Sequence, residues 1–199
     1  MDIVFATNNR HKLTEINNLI GKSFCLLSLA DINLDNDIPE NNPTIEENAL
    51  FKARYVYRAT GRNVFADDTG LEVDALGGEP GVHSARFAGE NKNSDANIDK
   101  LLALLGDHKN RRARFRTIIA LIFNGAEYLF EGIAEGTIIK SRRGRDGFGY
   151  DPVFIPDGYD VTFAEMTLQE KNKISHRAIA FEKLRVFLNG IPEAGHDET

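Results

Sequence analysis

The ten residues Val64-Phe65-Ala66-Asp67-Asp68-Thr69-Gly70-Leu71-Glu72-Val73 constrain this chain more than any other stretch. Three apolar residues run straight into two adjacent carboxylates, then a hydroxyl and a glycine, and a second short strand-like run follows. The apolar approach describes a buried strand, and carboxylates at its end are costly unless something positive faces them. Successive strand residues point to opposite faces, so Asp67 and Asp68 cannot serve one site while the strand stays regular. A break at Gly70 would let both do so. Two readings stand at this point: divalent-metal chemistry on one or both aspartates, and a polar turn that ends the strand.

The bulk of the chain narrows the classes of partner. At 199 residues it is long enough for one domain with a sizeable core, or two small lobes around a cleft. A formal net charge of −6 gives no global attraction for a polyanion, so no stable nucleic-acid complex is expected. The single cysteine, Cys25, excludes an intrachain disulfide and a multi-cysteine metal site. Its apolar setting, Phe24-Cys25-Leu26-Leu27, predicts a buried structural thiol. With no signal peptide and no apolar run near the ~18 residues of a membrane span, the expectation is a soluble, cytoplasmic protein with no membrane association.

Taken in order, Ile3–Ala6 reads as a short buried strand, followed by the polar loop Thr7-Asn8-Asn9-Arg10-His11-Lys12. Leu13, Ile16, Leu19 and Ile20 then recur at helical spacing. Asn8 or Asn9 can cap this helix, and Lys12 in its first turn opposes the helix dipole and so needs another partner. Free amides, a hydroxyl and an ammonium make a phosphate cradle; an N-capped helix with a solvated basic turn is the plainer alternative. Phe24–Leu29 predicts a second strand, and residues 30–43 a turn-rich acidic surface loop. Thr44 caps a helix with Glu47 at the capping-box position, whose apolar stripe is Ile45, Ala49, Ala53, Val56 and Tyr57. Asn48 and Lys52 flank that stripe, at the rim between core and solvent.

Beyond the central strand, residues 74–87 form a glycine-punctuated loop, and a third helix starts near Ser94. The basic run Arg111–Arg116 enters a strand, Thr117–Phe123; Asn124-Gly125 then predicts a hairpin turn, with Tyr128–Ile139 returning and bulges at Gly132 and Gly136. This pair is expected to build a second lobe over about residues 111–160. Glycines beside Phe148 permit close approach of a flat ligand, Phe148 can stack on a base, and Asp151 can accept hydrogen bonds from it. Ser175 caps a last helix, which places His176 and Arg177 in a first turn where acids are the electrostatic expectation. Two cation-capable residues there point to an anionic or carbonyl-bearing ligand. Residues 191–199 are expected to fray.

These motifs together resemble one family, the non-canonical purine nucleoside triphosphate pyrophosphatases, or Ham1/RdgB-like inosine triphosphatases. The resemblance spans about residues 3–188. It rests on Thr7-Asn8-Asn9 with Lys12, Glu40 before Thr44–Ala49 and Lys52, Ala66–Leu71, Pro80-Gly81 with Ser84-Ala85-Arg86, Gly147–Pro152, and Lys171 with Ser175-His176-Arg177. It implies an elongated α/β fold of two lobes around a central curved mixed sheet flanked by helices, with the active-site cleft between the lobes and a homodimer as the assembly. The implied reaction is Mg²⁺-dependent cleavage of inosine, deoxyinosine and xanthosine triphosphates to monophosphate and pyrophosphate. By the same resemblance Thr7, Asn9 and Lys12 hold the triphosphate within a substrate-binding segment that includes Asn8, Arg10 and His11. Glu40 and Asp68 are the metal carboxylates, Asp68 also the catalytic base, and Lys52 binds phosphates with Thr69 close by. Phe148, Gly149, Tyr150 and Asp151 line the base pocket with Lys171, His176 and Arg177. Asn8 stands where glycine is common, and Thr69 where serine is. Two other readings remain open: a pyrophosphatase for pyrimidine or modified nucleotides, and a non-enzymatic nucleotide- or RNA-binding module using Arg111–Arg116 and Arg142–Arg145.

Overall fold

A computed structural model describes residues 2–20, 24–34 and 38–190; the expected frayed tail at 191–199 and part of the acidic loop lie outside them. The chain opens with β1 (Asp2–Phe5), α1 (Arg10–Leu19) and β2 (Cys25–Leu27), then α2 (Ile45–Thr60) and the central strand β3 (Val64–Val73). A two-residue strand β4 (Pro80–Gly81) and α3 (Ser94–Leu105) follow. The long hairpin β5 (Arg112–Phe123) and β6 (Ala126–Ile138) comes next, then β7 (Phe154–Pro156), the single turn α4 (Leu168–Lys171) and α5 (His176–Asn189). Among the described residues the strands form one mixed sheet in the order β2-β1-β3-β5-β6-β7, with β4 on β3. β1 runs parallel to β2 and β3, and the remaining pairs are antiparallel.

Alternation along the strands sorts the core by face. Val64, Ala66, Ile118, Ala120 and Ile122 pack under α2 against Ile45, Ala49, Ala53 and Val56. Phe65, Ile119, Leu121 and Phe123 pack on the other face against Ile16 of α1 and Phe181, Leu184 and Leu188 of α5. Farther along that second face Leu71, Val73, Ala113 and Phe115 join Ile98, Leu101 and Leu105 of α3, with Phe154 and Phe163. Each valine, leucine, isoleucine or phenylalanine among them contributes about 1.5–3 kcal/mol on burial. Between the two apolar clusters of the second face lies a polar strip: Asp67 and Thr69 on β3 and Thr117 on β5. The site occupies this gap.

Several expectations are corrected. β3 does not break at Gly70; it pairs with β5 residue for residue from Val64 to Val73. The glycine is there because a Cβ would lie 2.6 Å from the Gly81 carbonyl oxygen and 2.8 Å from Ile45 Cδ1. Gly132 and Gly136 are not bulges, since the β5–β6 register is continuous through both. At Gly132 a Cβ would sit 1.9 Å from the His176 carbonyl oxygen and 2.5 Å from the Ala180 nitrogen, and at Gly136 it would sit 2.3 Å from the Ile155 oxygen. β5 starts at Arg112, five residues before the expected entrance, because Arg112, Arg114 and Arg116 find carboxylates across the sheet. The β5–β6 hairpin of the expected second lobe joins the sheet directly through β3, and its residues contribute to all three apolar clusters. Cys25 is exposed, not buried, because β2 is an edge strand. The hairpin turn stands: Asn124 and Gly125 both have positive φ (49° and 84°), as a tight two-residue turn requires.

Gly132 sets how closely α5 approaches the sheet. Gly132→Ala forces that helix outward and is expected to cost at least about 1–3 kcal/mol. Urea unfolding of the variant checks this; stability equal to wild type would refute the close-approach argument.

Candidate active site

The regularity of β3 divides its two aspartates between opposite faces. Asp68 points under α2, where two residues one helical turn apart, Asn48 and Lys52, meet it. Asn48 Nδ2 donates to Asp68 Oδ2 at 3.2 Å, and Lys52 Nζ stands 3.8 Å from Asp68 Oδ1. The same ammonium donates to Glu40 Oε1 at 2.5 Å and to the Asp67 carbonyl at 2.6 Å. Arg86 secures the Glu40 backbone through its carbonyl. Burial alone would lower Lys52, but Asp68 and Glu40 outweigh it and raise its pKa, so it stays charged. Asp68 moves up, chiefly through burial; Lys52 and Lys12 pull the other way, and Glu40 and Asp67 add like-charge repulsion.

On the opposite face Asp67 is almost fully buried between Lys12 Nζ (2.9 Å) and Arg177 Nε (3.0 Å). From Arg177 the ion pairs continue through Nη1 to Glu15 Oε2 (2.5 Å), from Glu15 Oε1 to Lys171 Nζ (2.8 Å), and from Lys171 to Asp151 Oδ2 (2.7 Å). Three cations and three carboxylates alternate, so this chain of charges is balanced. Burial opposes the charge on Asp67, but Lys12 and Arg177 outweigh it and hold the carboxyl far below the usual range. Glu15 is also held down, against burial, by Arg177 and Lys171. Lys12 moves down because burial, Lys52 and Arg177 together exceed the pull of Asp67.

The ends of α1 and α5 deliver these groups. Asn9 is the N-cap of α1; its Oδ1 accepts from the His11 and Lys12 amides at 2.9 and 3.3 Å, and Thr7 Oγ1 accepts from the Asn9 amide. Side chains thus already satisfy part of the amide cradle expected for phosphate. Ser175 Oγ caps α5 by accepting from the Ala178 amide. His176 Nδ1 lies 2.6 Å from Thr117 Oγ1, which lies 2.6 Å from Thr69 Oγ1, and Arg177 Nη2 donates to Thr69 at 3.1 Å. Burial, then Arg177 and Lys171, push His176 well below the usual histidine range, so the ring is neutral. It stacks on Phe115 with centroids 4.7 Å apart.

A cavity of about 270 Å³ opens over both faces. Thr7, Asn8, Asn9, Lys12, Glu40, Lys52, Asp68, Thr69, Phe148, Gly149, Tyr150, Asp151, Lys171, His176 and Arg177, all singled out from sequence, line it. Arg10 and His11 do not: both are exposed, and His11 stacks on Phe148 at 5.1 Å. Asp151 Oδ2 accepts from the Phe148 amide at 2.8 Å, closing the 147–151 turn; a Cβ at Gly147 would meet that oxygen at 2.2 Å. The Tyr150 hydroxyl donates to the Ser84 carbonyl at 2.9 Å and is raised by burial. Sequence reasoning missed Glu15 and Thr117. Glu15 stands three residues after Lys12 and beside Ile16, a helical offset that puts it on the inner flank. Thr117 carried no local signal.

Asp67→Asn leaves Lys12 and Arg177 short of a buried counter-charge and is expected to destabilise by about 3–5 kcal/mol at pH 7. The lowered native pKa fixes the sign of the pH dependence. The gap from wild type is full above about pH 4, where an unfolded aspartate is ionised, and narrows as pH falls below it. Urea titrations between pH 7 and pH 2 read this, and a gap constant throughout would contradict it.

The Ham1 family model matches residues 3–187. A dITP/XTP pyrophosphatase of Christiangramia forsetii is 54% identical over 189 residues, covering 95% of this chain and 100% of the relative. One from Porphyromonas gingivalis is 52% identical over 187 residues, 94% of this chain and 96% of the relative. Among solved structures, the Staphylococcus aureus Ham1 protein superposes with a TM-score of 0.87 at 40% identity, covering 96% of this chain and 99% of that one. A HAM1 protein from Coxiella burnetii gives 0.88 at 38% identity, over 96% and 100%. With the matched family spanning almost the entire chain, and with the mixed sheet shared by these structures, the protein belongs to the Ham1 family.

Proposed function

We propose that this protein hydrolyses inosine, deoxyinosine and xanthosine triphosphates to the monophosphate and pyrophosphate, with Mg²⁺ as cofactor, as a homodimer. One observation carries the reading: a single cavity joins a carboxylate pair with excess negative charge to a recess rich in hydrogen-bond donors. Glu40 and Asp68 share one ammonium, Lys52, which leaves one negative charge over. The balanced chain on the other face has none to spare. Two carboxylates that meet at one ammonium on the cavity wall are the kind of oxygen donor set Mg²⁺ takes. Those two residues would hold the ion, which when bound neutralises phosphate charge and the leaving pyrophosphate.

The remaining steps belong to the protein's own groups. Asp68, held by Asn48, orients water toward the α-phosphorus and takes its proton as the new P–O bond forms. The bond to the β-phosphate oxygen breaks, and Lys52 and Lys12 stabilise the charge on that side. At the other end, Arg177 and His176 offer donors to a 6-keto oxygen. Adenine presents an amino group there, which leaves a donor facing a donor, and such mismatches discriminate strongly. The relatives named as dITP/XTP pyrophosphatases support this substrate class.

Ion pairing on the basic runs argues against the RNA-binding reading. Arg112, Arg114 and Arg116 pair with Asp157, Glu72 and Glu131, and Arg142 pairs with Asp99. A panel of nucleoside triphosphates with Mg²⁺, assayed for pyrophosphate, tests the proposal. ITP, dITP and XTP are expected to turn over and ATP and the pyrimidine nucleotides to be poor substrates; equal rates on pyrimidine nucleotides would reject it. Asp68→Asn is expected to lower kcat on ITP by about 10²–10⁴-fold, and a rate near wild type would reject Asp68 as the base.

A further inference from the structure

Thr117 lies wholly inside the sheet, in a cross-strand row that reads Thr69, Thr117, Gly132. The first turn of α5 rests on this row. Gly132 admits the His176 backbone, and the two hydroxyls run beneath the His176 and Arg177 side chains. The polar strip therefore does more than interrupt the apolar face: it connects Arg177 to His176 through two hydroxyl groups.

The direction of that connection follows from the roles its end groups can take. A guanidinium only donates, so Thr69 Oγ1 accepts from Arg177 Nη2. If the chain continues outward, Thr69 donates to Thr117 and Thr117 donates to His176 Nδ1, and each hydroxyl uses its single proton. If the chain runs in reverse, His176 Nδ1–H donates to Thr117, Thr117 donates to Thr69, and Thr69's own proton has no acceptor among the described residues. Either direction leaves one proton facing the cavity, that of Thr69 in reverse and that of Nε2 outward; the outward one gives each hydroxyl one bond accepted and one donated, with the cation-polarised Thr69 as a donor, and lets each bond polarise the next. Because Nδ1 then accepts, the ring proton of neutral His176 sits on Nε2.

Nε2 makes no hydrogen bond among the described residues, though His176 is only 3% exposed. It is not sealed in either, since the one buried side-chain polar atom left without a partner among those residues is Asn172 Oδ1. His176 lines the cavity, so Nε2 opens onto it.

We propose that Thr117, anchored through Thr69 to Arg177, is a positioning residue that fixes His176 as the Nε2–H tautomer and so presents a hydrogen-bond donor to the 6-keto oxygen of the substrate base. The tautomer assignment rests on the hydrogen-bond chain and needs no substrate, and its consequence for selectivity rests on the substrate class proposed above. Thr117→Val keeps the shape and removes the hydroxyl, whereas Thr117→Ser keeps the hydroxyl.

Long-range ¹H–¹⁵N spectra of the labelled protein, with His176→Gln to assign the ring signals, report the tautomer directly. Wild type and Thr117→Ser are expected to show Nε2–H, and Thr117→Val to lose that preference. In steady-state assays, Thr117→Val is expected to lower kcat/KM for ITP about tenfold while changing that for ATP less than twofold; Thr117→Ser should restore the ITP:ATP ratio. The proposal is overturned if wild type carries the proton on Nδ1, or if Thr117→Val keeps the ITP:ATP ratio within twofold of wild type. A wild-type protein with the Nε2–H tautomer and no turnover of ITP would remove the proposed substrate while leaving the tautomer assignment standing.

Discussion

The alternating row of buried charges from Lys12 through Asp67, Arg177, Glu15 and Lys171 to Asp151 is the constraint on which the rest of the structure depends. Its members come from α1, β3, α5, α4 and the turn before β7, so no element of the site is held only by its neighbours in sequence. Removing a charge from water costs several kcal/mol, and mutual attraction offsets this only where every partner is in place. Here each interior member has an opposite charge on both sides. The row therefore stands or falls as a unit, and it fixes the docking of α5 as firmly as the apolar stripe of that helix does.

Balance on one face makes the imbalance on the other informative. Lys52 reaches Glu40, Asp68 and the carbonyl of Asp67, and carries one positive charge against two carboxylates. The strand geometry keeps the Asp67 side chain in the charge row, so it acts on this pair only through space, as a weaker like charge on Asp68. A single residue step along β3 thus separates a fully paired carboxylate from the one proposed as the base. The physical difference lies in their partners: Asp67 has two close cations and a lowered pKa, Asp68 a more distant one and a raised pKa.

Much of the frame was legible in the sequence. The helices of 45–60, 94–105 and 176–189 follow from caps and apolar spacing, and the Asn124-Gly125 turn from its dipeptide. Most residues that line the cavity sit in the polar, glycine-marked stretches where the apolar pattern lapses. The failures share a cause. Cys25 was misjudged because an apolar triplet does not say whether its strand lies at an edge. Gly132 and Gly136 looked like bulges because sequence records the absence of a side chain and not the neighbour that requires it. Glu15 and Thr117 were passed over because a polar residue within a helix or strand acquires its role only from partners a hundred or more residues away, or across a sheet.

The stretch Val64–Val73 shows where the division falls. Its sequence determined that a strand would form and that its two carboxylates would face opposite ways if it stayed regular. Pairing with β5 decided that it does stay regular. The packing of α2 on one face and of α1 and α5 on the other decided which carboxylate is held between two cations and which shares one ammonium with Glu40. Alternation is a property of the backbone and is written locally, whereas the electrostatic environment of a buried group is a sum over everything that folds around it.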